Sequence, residues 1–72
     1  LRYVIIIEKG STSYGAYVPD LPGCVAVGET PEETRALIEE AILLHLESLH
    51  EAGEVIPQPL SQSIYIDIPL AA

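Results

Sequence analysis

The chain contains no Met, Trp or Phe, a single Cys, and only three Lys or Arg residues in 72. Each shortage excludes something. One cysteine cannot form an intrachain disulfide, and a lone thiol, Cys24, suits a reducing compartment. The two histidines, His45 and His50, stand about 140° apart around a helix, so they cannot hold one metal ion from one face, and Cys24 adds no metal-binding spacing. No metal or other cofactor is expected. No apolar run approaches the ~20 residues of a membrane-spanning helix. The opening Leu-Arg-Tyr-Val-Ile-Ile-Ile-Glu lacks the long apolar stretch and small-residue cleavage site of a secretory signal, which makes the cytoplasm the expected location. Without Met, Leu1 is not expected to be the initiating residue. The scarcity of cations matters most. Eleven acidic residues against three basic ones give a formal charge of -8, which opposes direct nucleic-acid binding, because that affinity comes from Lys and Arg displacing counterions.

What is present is apolar: 49% of the residues are hydrophobic, too many for a disordered tail. A core drawn from so short a chain is only marginally stable without a disulfide, a metal or a partner subunit. The acidic field would speed encounter with a basic partner, or simply keep a small apolar domain in solution.

Along the chain, Tyr3-Val4-Ile5-Ile6-Ile7 is apolar on both parities and rich in β-branched residues, the pattern of a strand buried on two faces inside a sheet. Turn residues Lys9 to Ser13 and a second strand from Tyr14 to Val18 complete a hairpin. Val25-Ala26-Val27 reads as a short third strand ended by Gly28. Thr30 is placed as a helix N-cap, with Pro31 at the first helical position and Glu33 completing a capping box. Gly53 fits the left-handed residue just past the other end. The helix of about 22 residues, ~33 Å long, carries Leu37, Ile38, Ala41, Ile42, Leu44, Leu46 and Leu49 on an arc of about 200°, with Leu43 beyond it. One sheet cannot cover that arc. Ile42, Leu43 and Leu46 are therefore expected to form a self-association strip, unless the loop through Val55, Ile56 and Leu60 folds over it. After the Pro-rich return, Ser63-Ile64-Tyr65-Ile66-Asp67-Ile68 alternates as a half-buried strand, with its isoleucines toward the helix. A right-handed crossover would set it beside and parallel to the first strand. The predicted fold is thus α+β, β-β-β-α-β, a three-stranded antiparallel meander plus a parallel last strand in the order 3-2-1-4, with one long helix on one face.

The hexapeptide Pro19-Asp20-Leu21-Pro22-Gly23-Cys24 is the most distinctive stretch. Its prolines fix their own φ and push the preceding residues toward extended geometry, while Gly23 is free to take a positive φ, so the connection is rigid and shaped. Three ordered segments, Tyr17-Val18-Pro19-Asp20-Leu21-Pro22-Gly23-Cys24, Gly28-Glu29-Thr30-Pro31-Glu32-Glu33 and Gly53-Glu54-Val55-Ile56-Pro57-Gln58-Pro59, carry a family likeness. From Arg2 to about Leu70 the chain resembles the N-terminal domain of the HicB antitoxins, partners of the HicA ribonuclease toxins. The resemblance implies one domain over residues 1–72 with a reduced ribonuclease-H-like fold. It also implies an antitoxin role, in which the protein neutralises a small basic HicA-type mRNA-cleaving toxin by covering its RNA-binding and catalytic surface. Fuller members of the family carry a DNA-binding segment after the last strand. Only Leu70, Ala71 and Ala72 follow here, so direct DNA contact is not expected.

A nuclease of its own would need carboxylates converging on paired cations ~3.5–4 Å apart. Glu8 at a strand end, Asp20 in a loop and Asp67 on the last strand do not supply that pattern, and no enzymatic activity is expected. Candidate contacts to a basic partner are Glu29, Glu32, Glu33, Glu39 and Glu40, joined by Asp20 and Leu21 if these project from the rigid loop. Asp20 capping its own turn is the alternative. A homo-oligomeric scaffold or small-ligand module without a toxin stands as the second functional reading.

Overall fold

The computed structural model describes residues 1–71; Ala72, the last residue of the expected domain, lies outside them. Three strands, β1 (Ile6–Lys9), β2 (Tyr14–Tyr17) and β3 (Val25–Gly28), form an antiparallel sheet in the order β1-β2-β3. The first hairpin is closed by the Gly10 N–H, which donates to the Ser13 carbonyl at 2.7 Å. Its register sets Ile6 opposite Tyr17 and Ile7 opposite Ala16. Tyr17 in turn faces Val25, and Ala16 faces Ala26.

Helix α1 (Pro31–Glu51) forms where its local chemistry dictates. The Glu33 N–H donates to Thr30 Oγ1 at 3.0 Å, and the Glu33 carboxylate accepts from the Glu29 N–H at 3.4 Å, one residue before the cap. At the far end the Glu54 N–H reaches the Leu49 carbonyl and the Gly53 N–H the His50 carbonyl, with Gly53 at φ 69°. This pair of bonds is the Schellman closure that a glycine just past the helix permits.

The helix lies mainly across β3 and β2 and only grazes β1. Ala16, Val18, Leu21, Cys24 and Ile38 make the core, with Tyr3, Ile5, Ala26, Ala41, Ile42 and Leu46 packed around them. Gly28 permits the closest approach of sheet to helix: a Cβ there would lie 2.5 Å from Thr34 Oγ1. The buried Thr34 hydroxyl donates to the Thr30 carbonyl at 2.7 Å.

Three expectations fail here. Residues 63–68 pair with no strand of their own chain, so the sheet has three strands, and the order 3-2-1-4 is not formed within it. As a result β1, expected inside the sheet, is an edge strand. Ile64, Ile66 and Ile68 do not face the helix but are exposed. Alternation identifies a segment able to form a strand; it does not say whose edge that segment meets.

Candidate protein-binding site

The Pro19–Cys24 connection is held by its own backbone. The Leu21 N–H donates to the Val18 carbonyl at 3.0 Å, the Cys24 N–H to the Leu21 carbonyl at 3.1 Å, and the Val18 N–H to the Cys24 carbonyl at 3.3 Å. Gly23 takes φ 84°. These bonds turn the Leu21 side chain inward, where its exposure is 0%. Leu21 is therefore a core residue and not the projecting partner contact the sequence suggested. An apolar residue inside a polar-looking turn is the signal that could have shown this, since a fully exposed Leu gains nothing from a rigid mount.

Asp20 neither caps its own turn nor points into solvent. Its Oδ2 accepts from the Ser61 N–H and its Oδ1 from the Ser61 hydroxyl, both at 3.0 Å. Four residues earlier the return segment is held again, where the Tyr3 hydroxyl donates to the Pro57 carbonyl at 2.6 Å. Burial, and then the nearby Asp20 charge, push the Tyr3 phenol above its ordinary pKa, so it stays a donor. Tyr3, Asp20, Pro57 and Ser61 thus pin the segment that follows the helix. Neither bond is visible in sequence, because the partners are separated by 41 and 54 positions. Beyond Ser61 every described residue is exposed.

The acidic candidates lie on or beside the helix. Glu29, Glu32 and Glu33 cluster at its start, and Glu39 and Glu40 sit in its middle, all exposed. Ile42 and Leu46, from the expected self-association strip, pack against the core cluster, whereas Leu43 is 64% exposed. Of the loop that might have covered this strip, Ile56 is half-buried while Val55 and Leu60 are exposed. Leu43 and Leu44 are the exposed apolar pair, framed on the helix surface by Glu40 a turn before and Glu47 a turn after. This is a small apolar contact with an acidic rim.

A second apolar surface was missed by the sequence reading. Side chains alternate across a strand, so Ala16 and Ala26 face the helix while Ile6, Tyr17 and Val25, in register, face the other way with Val27. The helix covers only the first of these faces, and Val25 and Val27 are 63% and 65% exposed. The sequence signal is Val25-Ala26-Val27 itself, whose small residue marks the face pressed against the helix.

Cys24 is buried, and burial raises its thiol pKa; it belongs to the core. Glu8 ends β1, Asp20 is bound to Ser61, and Asp67 lies on the exposed segment, so these carboxylates do not converge. Among the described residues no group of three His, Cys, Asp or Glu could hold a metal ion, and no helix is long and apolar enough to cross a membrane.

A three-stranded meander backed by one long acidic helix, with apolar patches open on both layers, makes a small α+β domain. The chain belongs to the HicB-like antitoxin family of bacterial toxin-antitoxin systems, whose family model matches residues 3–69. A UPF0150 protein of Thermoplasma acidophilum is 37% identical and aligns over 92% of this chain and 97% of its own length. A protein from the rep-hol intergenic region of Haemophilus phage HP1 is 39% identical over 96% of this chain. Antitoxin HicB 2 of Photorhabdus laumondii is 26% identical over the same share. The chain spans about half the length of these last two, 52% and 50%. Among solved structures, a chain of the HicA3 and HicB3 toxin-antitoxin complex matches with a TM-score of 0.71 and 33% identity, over 83% of this chain and 70% of that one.

Proposed function

We propose that this protein is the antitoxin half of a toxin-antitoxin pair, acting inside the cell by binding a small basic HicA-type ribonuclease and covering its RNA-binding and catalytic surface. The observation that carries this reading is the likeness, at 33% identity, to a chain from a HicA3 and HicB3 complex. Physical chemistry supports it. A toxin that cleaves RNA must present cations to phosphates. A molecule of charge -8, with Glu29, Glu32, Glu33, Glu39 and Glu40 exposed along one helix, offers carboxylates to the same cations and is steered toward them. Leu43 and Leu44 add a desolvated centre of the kind that concentrates binding energy. The protein itself needs no reaction centre for this task, only surface.

Self-association belongs to the same reading, because two apolar surfaces are left uncovered on one small chain. The ribonuclease-H-like order, completed by a fourth strand, would follow from such pairing.

The test is co-expression with a basic HicA-type ribonuclease. Growth rescue, a stable complex on gel filtration, and dissociation constants that rise with salt are expected. A complex indifferent to ionic strength refutes the electrostatic mechanism, and no complex at all favours a self-assembling scaffold without a toxin.

A further inference from the structure

We infer that residues 63–68 are an exchanged strand, which leaves its own chain to pair with the open edge of β1 in a second copy, the second copy returning its own segment in the same way. The inference rests on the self-association reading above and gives it a specific geometry.

The molecule is too extended for its length. A compact chain of this size has a radius of gyration of about 11 Å; the observed value is 14.6 Å, with a longest extent of 53 Å. The helix, at about 32 Å, does not account for that extent. The excess is the arm beyond Ser61, which among the described residues has no backbone bond to the rest of the chain; within the arm the Leu70 N–H donates to the Ile68 carbonyl. Such an arm is an unfinished strand. Ile64, Ile66 and Ile68 alternate with Ser63, Tyr65 and Asp67, and Ile66 is 70% exposed. Pro69 then ends the run, as a residue without an amide donor would.

The acceptor is equally unfinished. Edge strands left bare invite pairing with another chain, and Tyr3 to Ile7 carries the two-faced apolar pattern of an internal strand, yet β1 has a neighbour on one side only. Rooted by the Tyr3–Pro57 and Asp20–Ser61 bonds beside the start of β1, the arm nonetheless leaves the body there and pairs with no strand of its own chain. Each copy therefore offers one strand and lacks one strand beside β1, and a two-fold exchange closes both deficits.

Charge favours a second copy over a basic partner at this place. On an acidic molecule the surfaces that would meet are the least repulsive: the arm from Ser61 to Leu70 carries one charge, Asp67, while β1 balances Glu8 with Lys9 and is preceded by Arg2.

Sedimentation of the full chain at micromolar concentration tests this together with two variants. The wild type is expected at twice the chain mass. Ile66→Pro removes a ladder donor at an exposed site, so it should shift the protein to monomer while its helical circular dichroism stays unchanged. Leu43→Asp should leave the dimer intact. If Leu43→Asp gives monomer and Ile66→Pro does not, self-association survives and strand exchange is overturned; a monomeric wild type overturns both. Crosslinking supplies the independent check. Glu8→Cys chains mixed with Asp67→Cys chains should give a covalent heterodimer with a short bis-maleimide, and its absence refutes the exchange.

Discussion

Asp20 shows how one residue's task can be mistaken for another's. It sits in a turn and looks like a turn cap, yet both carboxylate oxygens serve Ser61, far along the chain. Hydrogen bonds to a charged group contribute about 1.5–3 kcal/mol, and Asp20 is half-buried. Asp20→Ala is expected to lower the stability measured by urea unfolding by about 1–2 kcal/mol and to accelerate hydrogen exchange at the Ser61 amide. Asp20→Asn, which keeps one acceptor, should lose less. Cys24 offers a second residue-scale test. Burial holds its thiol above the ordinary value of 9.0, so above about pH 9 the unfolded chain releases a proton that the folded one retains. Stability is then present below that pH and falls as pH rises past it. Urea midpoints from about pH 8 to about pH 10 should decline less steeply in Cys24→Ala than in the parent.

At the scale of elements, legibility follows locality. Thr30, Pro31, Glu33 and Gly53 fix the helix ends through bonds that span three to five residues, and the sequence alone placed both ends correctly. The rigid Pro19–Cys24 connection was equally readable, but not the inward turn of Leu21, which depends on a core assembled from distant strands. Ile64, Ile66 and Ile68 had the alternation of a strand; what they lacked was a local feature naming their partner. The bare sheet face at Tyr17, Val25 and Val27 needed the register of two strand pairs before it could be seen. The joint between sheet and helix makes a strong prediction. Gly28→Ala would set a Cβ 2.9 Å from the Thr34 backbone nitrogen, and backbone does not yield cheaply, so a loss of about 1–3 kcal/mol is expected in thermal or urea unfolding. Thr30→Ala, which removes only the cap, should cost about 1 kcal/mol.

For the whole molecule, charge and shape divide the work. The helix surface carries most of the exposed carboxylates, while the sheet edge and the arm are nearly neutral. Glu39→Lys with Glu40→Lys should therefore weaken binding to a HicA-type toxin and flatten its salt dependence, without changing the sedimentation of the protein alone. Titration calorimetry at two ionic strengths reads the first effect. Unchanged affinity would place the toxin elsewhere, on the open sheet face.

The unpaired arm has one further consequence, for lifetime. Proteases bind substrates as extended, accessible peptide, and Tyr65 is 100% exposed in a segment of that shape. Chymotrypsin should clip the solitary chain there first and leave the body whole, whereas a copy whose arm is laid into a neighbour's sheet should resist. Turnover would then depend on concentration, with scarce molecules destroyed sooner than abundant ones.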